Sequence, residues 1–242
     1  MTQNLYYLKY LHNDFLKEFE NYNNIMEDYL LKNYFNKTKT DITELNIDLS
    51  TLDEKELIDY DKKLLSYSQK FYEQSIFYPQ SFRSSFFIQI FSVLEYELKE
   101  ISLIYHKQNN TDFSLYDLKG NSEIEKAKLY FKKACKIDFE SFEEWAYLDL
   151  MRKIRNRFVH SQGEINRKHG DWYKIFKFIE DNRNLLGFRN CAEYLDKDKF
   201  KELFDDDYLF MLDIQSSDFN KKIIFILKDF LRKLLLELEP SN

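Results

Sequence analysis

The sequence predicts an all-α protein: one domain over 1–242, built of long antiparallel helices, with a small irregular insert before the C-terminal helix. Three observations predict it. Only 4 Gly and 2 Pro occur in 242 residues, whereas sandwiches, barrels and doubly wound sheets need many tight turns. Hydrophobic residues make up 44% and aromatics 18%, enough to fill the core of one large domain. Apolar residues recur at spacings of three and four over stretches much longer than a strand.

Taken in order, a helix is expected over 4–36, with Leu5, Leu8, Leu11, Phe15 and Phe19 on one side. A linker rich in Thr, Asp and Ser follows over 38–52. The second helix runs from 53 to 77 and stops before Pro79, because proline disfavours helical geometry in its predecessor. The third, 81–106, carries Phe87, Phe91, Leu94, Leu98 and Ile101 as a nearly continuous stripe and is expected to be buried on more than one side. After a polar loop at 107–121, Ser122 with Glu125 makes a capping box that opens a short helix to 136. Ser141 with Glu144 makes another, opening a helix that ends near His160, where Gly163 relieves the last turn. Residues 171–181 read as helix. The pattern then breaks over 183–217, and the insert there has room for a short strand at 208–212. Ser217 caps a closing helix over 218–238, with Ile223, Ile224, Leu227, Phe230, Leu231, Leu234 and Leu235 apolar. The core of the domain falls in 53–181.

Several classes are excluded. No uncharged run approaches the roughly 18 residues of a membrane span. The start, MTQNLYYLKYLHNDFLKEF, lacks a basic head followed by an apolar stretch, so no secretory signal is expected. Cys135 and Cys191 stand alone, which fits a reducing cytoplasm and leaves no cysteine framework for disulfides or zinc. There is no Gly-rich phosphate loop, nucleophile elbow or pair of histidines at helical spacing. The acidic run 196–207 puts Phe200 and Lys201 where a calcium loop needs a ligand and its turning glycine, so it reads as a solvated face. No metal and no cofactor is expected. His12 and His106 read as surface or capping residues, and His169, in Arg167-Lys168-His169-Gly170, has no acid or nucleophile beside it.

The exception is the segment 151–160, MRKIRNRFVH. Tyr147, Met151, Ile154 and Phe158 follow the spacing of a buried stripe, with Leu148, Arg152, Arg155 and Val159 about 100° round the helix beside it. Asn156 and His160 lie one turn apart and face the same way. Cations here suit the negative end of the helix dipole, which is the plain structural reading. The charge distribution points further. From 152 to 177 the chain is net +6, and the remainder is −12. A positive region on an acidic protein is the electrostatic footprint of a polyanion site, with Arg152, Lys153, Arg157, Arg167 and Lys168 as its phosphate-binding residues.

Arg155-Asn156-x-x-x-His160, followed by Gly163, resembles the R-x4-6-H motif of HEPN domains (higher eukaryotes and prokaryotes nucleotide-binding). Upstream, SFRSSFFIQIFSVLEYELKEI over 81–101 resembles the HEPN helix that carries an acid after an apolar run, with Glu95 as that acid. The resemblance implies a HEPN-like helical bundle. It implies a metal-independent RNA endonuclease of toxin-antitoxin or phage-defence systems, acting as a homodimer whose two motifs face a shared cleft. Its partners would be RNA, a second copy, and an antitoxin or defence-system protein, with no membrane. A regulator that modifies the tyrosine of R-x4-H-x-Y finds Gln162 at that position here.

The implied chemistry needs no metal. Neutral His160 takes a proton from a ribose 2′-hydroxyl or, charged, protonates the leaving 5′-oxygen. Arg155 forks onto phosphate oxygens and stabilises the charge that builds on phosphorus. Asn156 orients the histidine or binds a phosphate. The products are a 2′,3′-cyclic phosphate and a 5′-hydroxyl. Glu95 borders an apolar stripe, so a partner is expected for it, with Arg152 and Arg155 as candidates. Two other readings remain open: a non-catalytic HEPN module that dimerises and binds RNA or protein, and a helical scaffold whose arginines merely suit a helix end.

Overall fold

In a computed structural model, residues 2–30, 32–33, 52–166, 168–188 and 210–239 are described, with side chains from Asp14 onward in the first helix. Their helices are α1 (Thr2–Leu30), α2 (Glu54–Tyr72), α3 (Tyr78–Asn109), α4 (Glu123–Tyr130), α5 (Glu143–Ser161), α6 (Trp172–Asp181) and α7 (Ser217–Glu237). Three short strands, β1 (Glu164–Ile165), β2 (Leu186–Phe188) and β3 (Phe210–Ile214), complete the fold. The mostly helical class with a small β-containing insert is therefore as the sequence predicts.

α3 is the centre. Its buried residues include Phe86, Phe87, Ile90, Phe91, Leu94, Leu98 and Ile101, which span about 140° of its circumference. It touches α1, α4, α5, α7 and β3, so the expectation of burial on several sides holds. α7 supplies the largest second share, with Ile223, Ile224, Leu227, Phe230, Leu231, Leu234 and Leu235 all buried. Aromatic edges lock these helices together. Phe87 meets Phe219 at 5.1 Å, and Phe139 meets Trp145 at 4.7 Å and Phe230 at 5.2 Å.

Five local expectations are corrected. The break before Pro79 is absent: α2 passes through a π-helical turn, Glu73–Phe77, directly into α3. The Tyr78 N–H reaches back to the Glu73 carbonyl, and Pro79 sits in the first turn of α3, where its missing N–H is tolerated. On α1, Leu16 is buried while Phe15 is exposed, and Phe19 stacks on Phe86 at 4.4 Å; the side chains of Leu5, Leu8 and Leu11 lie outside those described. The Ser141–Glu144 box does not form. Ser141 belongs to a 3-10 turn, Phe139–Ser141, where its hydroxyl donates to the Asp138 carbonyl (2.7 Å), and Phe142 takes the N-cap of α5. Glu144 instead pairs with Lys233 of α7. Ser122 does cap α4, but Glu125 reaches past it to the Asn121 N–H (3.1 Å). The closing helix is capped by Ser216, one residue before the expected Ser217. The rest of the first helix beyond 33, the linker and the acidic run lie outside the described residues.

The insert is part of the body. β3 is the middle strand, antiparallel to β1 (Glu164↔Met211, Ile165↔Phe210) and to β2 (Leu186↔Ile214, Phe188↔Leu212). β1 comes straight off α5 and lies before the segment in which the sequence places the insert. The turn between them needs two left-handed residues, Gln162 (φ 52°) and Gly163 (φ 87°). The Gly163 N–H returns to the Arg157 carbonyl (2.9 Å), and its carbonyl accepts from Leu212 N (2.9 Å). A Cβ on Gly163 would stand 3.2 Å from the Phe158 ring. This is why the C-terminal end of α5 is held firmly against the sheet.

Candidate functional site

α5 buries Trp145, Leu148, Met151 and Ile154, while Tyr147 and Phe158 pack partly against the same core. That anchoring leaves the opposite side of its last turns facing out. Val159 and His160 are exposed, and Arg155, Asn156 and Arg157 are half-buried. Burying one stripe of a helix therefore fixes where the motif residues stand.

Arg155 and His160 are five residues apart, about 140° round a regular helix, and do not point the same way. Asn156 narrows the gap. The Arg155 guanidinium turns toward it, Nη1 donating to Asn156 Oδ1 at 3.3 Å, and Asn156 sits one turn before His160 on the same face. Arg155 Nε is buried with no acceptor, and it makes no carboxylate pair among the described residues. The imidazole of His160 is likewise exposed and without a hydrogen-bond partner among them. The exposed imidazole is open to an incoming ligand, whereas Arg155 Nε is enclosed.

The neighbouring cations differ. Arg152 donates twice to Asp149 (3.1 and 2.9 Å) and lies 3.9 Å from Glu125. Lys153 also holds Asp149, at 2.8 Å. Burial works against the Asp149 carboxylate, yet hydrogen bonds from Lys153 and Arg152 keep its pKa below the usual range. Arg157 pairs with Asp171 at 2.6 Å. Lys168 is exposed in the loop between β1 and α6, where its N–H donates to Asn166 Oδ1, and Arg167 lies outside the described residues. The positive excess of 152–177 is thus partly cancelled in space by Glu125 and Asp149, which lie outside that segment.

The partner expected for Glu95 is not formed, since Arg152 and Arg155 bond elsewhere. Glu95 is half-exposed, and it is Glu97 that the core encloses, at 3% exposure. His169 is a turn residue: its Nδ1 accepts the Asn166 N–H at 3.1 Å, while burial and then Arg157 push its pKa below the ordinary value. His106 is half-buried near the end of α3 and its Nδ1 lies 2.6 Å from the Thr111 hydroxyl, a side-chain bond that caps no backbone group of the helix.

Sequence reading missed one feature. Between α5 and α6 lies an open pocket of about 450 Å³, lined by Lys153, Lys174 and Lys177 with Asp149, Asp181 and Phe178. Lys153 shares its helix face with Asn156 and His160, at spacings of three and seven. The pocket depends on how α6 folds back on α5, information that no local spacing carries. Among the described residues, no cluster of His, Cys, Asp or Glu has a metal-holding arrangement, and no helix is long and apolar enough to cross a membrane.

No protein-family model, no curated protein and no solved structure matches this chain.

Proposed function

We propose that the chain is a HEPN-type, metal-independent endoribonuclease, a toxin or phage-defence effector that acts as a homodimer. The observation that carries the reading is the contrast on α5. Arg152 and Lys153 share the Asp149 carboxylate and Arg157 pairs with Asp171, while Arg155 is turned to Asn156 without a carboxylate, and His160 stands exposed one turn beyond. A helix end that merely offset its dipole gives no reason for one arginine to lack the partner its neighbours have.

In this reading the scissile phosphate binds at Arg155, and Asn156 holds the guanidinium in place. His160 removes the 2′-hydroxyl proton as the 2′-oxygen attacks phosphorus. The bond from phosphorus to the 5′-oxygen breaks, and an imidazolium, that of His160 or of its copy across a two-fold axis, protonates the departing oxygen. Atoms balance without water, giving a 2′,3′-cyclic phosphate and a 5′-hydroxyl. Lys153 and the pocket beside it would steer the flanking backbone.

The alternative, a non-catalytic module that binds RNA or protein, draws support from the ion pairs that occupy Arg152, Lys153 and Arg157. Induced expression in a bacterial host separates the two. The proposal expects growth arrest by the wild type and by His169→Ala, and relief by His160→Ala or Arg155→Ala. Arrest that persists in His160→Ala at equal expression would contradict it.

A further inference from the structure

α2 is the one described helix for which side chains are given throughout and none is buried, despite apolar residues along its whole length. Ile58 is 50% exposed and Leu65 72%, with Leu57, Leu64 and Tyr72 also open. These residues fall in a strict repeat of seven: Leu57, Leu64 and Phe71 form one row, and Ile58, Leu65 and Tyr72 a second. A seven-residue period keeps a seam facing a partner helix in a left-handed supercoil, whereas burial against a globular core asks only for a 3.6-residue period. The helix is also well founded at both ends. Asp53 and Glu56 form a reciprocal capping box (2.8 and 2.9 Å), and the π-helical turn carries α2 without interruption into the buried α3.

Its charges are ordered end to end. Glu54, Glu56, Asp59 and Asp61 outnumber Lys55 in the first half, and the second half, up to Tyr72, carries Lys62, Lys63 and Lys70 and no acid, with Lys62 reaching back to Asp59 at 3.5 Å. Laid parallel, two copies would oppose like charges. Laid antiparallel about a two-fold axis between Asp61 and Lys62, each acidic half runs beside a basic half, with Asp61 next to Lys62 and Glu54 next to Lys70 of the other copy, while the apolar rows close on one another. We propose that α2 is a self-pairing arm, which docks antiparallel onto α2 of a second copy of this chain. The helix is about 28 Å long, nearly three heptads, which gives the pair an extended seam. The inference stands on α2 and does not depend on the reading of α5.

Sedimentation equilibrium of the full chain tests it, with an acidic arm (Lys62→Glu, Lys63→Glu, Lys70→Glu), a basic arm (Asp59→Lys, Asp61→Lys) and Leu64→Asp. The wild type is expected to dimerise. Each charge variant alone should dissociate at least about tenfold more readily, and the equimolar mixture should recover dimer through the two opposite arms. Leu64→Asp should be monomeric with an unchanged thermal midpoint, because the side chain it replaces is exposed. A monomeric wild type would overturn the proposal, as would a dimer indifferent to Leu64→Asp. A clear loss of thermal midpoint in Leu64→Asp would also overturn it, showing that the chain itself covers this face. Because growth arrest depends on His160, retention or loss of toxicity in these variants is read separately from the dimer.

Discussion

At the scale of residues, Glu97 is the most informative group outside the motif. Burial, reinforced by nearby Glu100, raises its pKa from the ordinary 4.5 to about 7. The folded chain therefore holds this proton where the unfolded chain has released it. Stability from this group is full below about 4.5 and is lost as pH rises toward 7. The loss is at most about 3 kcal/mol, and Glu97→Gln should flatten that part of the stability profile measured by urea denaturation. Arg83 makes the opposite case. Nearly buried, it pairs with Glu27 through two bonds of 2.8 Å and donates to the Gln215 carbonyl at 2.7 Å, joining α1 to the start of α7. Arg83→Ala leaves Glu27 unpaired in the interior and should cost about 3–5 kcal/mol in the same measurement. The thiol of Cys135 is pushed by burial up to about 12, so it should resist alkylation in the folded protein at neutral pH and react once urea unfolds it, as read by peptide mass mapping.

At the scale of elements, α5 and its exit do most to shape the site. Gly163→Ala would strain a left-handed turn and press on Phe158; it should cost about 1–2 kcal/mol and weaken activity with stability, because the turn fixes the end that bears His160. Much of α5 is legible in sequence, since Met151 and Ile154 keep the spacing of a buried stripe and Asn156 and His160 follow from it. The ion pairs are half legible. Asp149 precedes Arg152 and Lys153 by three and four, which a helical wheel reveals, but Asp171 reaches Arg157 across the connection to α6, which it does not. The start of α5 misleads because Ser141 has two uses for its hydroxyl, and the turn before the helix takes it. β2 was hidden because three residues, all buried, have no alternation to display. Pro79 misleads for a related reason: proline ends a helix only if the chain cannot widen its preceding turn, and here a π-helical turn does so.

At the scale of the whole molecule, acidity overall and basicity locally combine. With a net charge of −6, the proposed RNA binding is expected to centre on the region of α5 and α6, where Lys174 and Lys177 add to Arg155. Affinity for single-stranded RNA should fall steeply as salt rises, and Lys174→Ala with Lys177→Ala should make that dependence shallower without abolishing cleavage; fluorescence anisotropy over a salt series measures it. Cleavage itself is the most direct test. Purified chain is incubated with labelled RNA in EDTA, and the new ends are identified by mass spectrometry. The account predicts cutting with 2′,3′-cyclic phosphate and 5′-hydroxyl ends, abolished by His160→Ala and kept by His169→Ala. Intact RNA in EDTA with cutting restored by added metal, or equal cutting by His160→Ala, would contradict it.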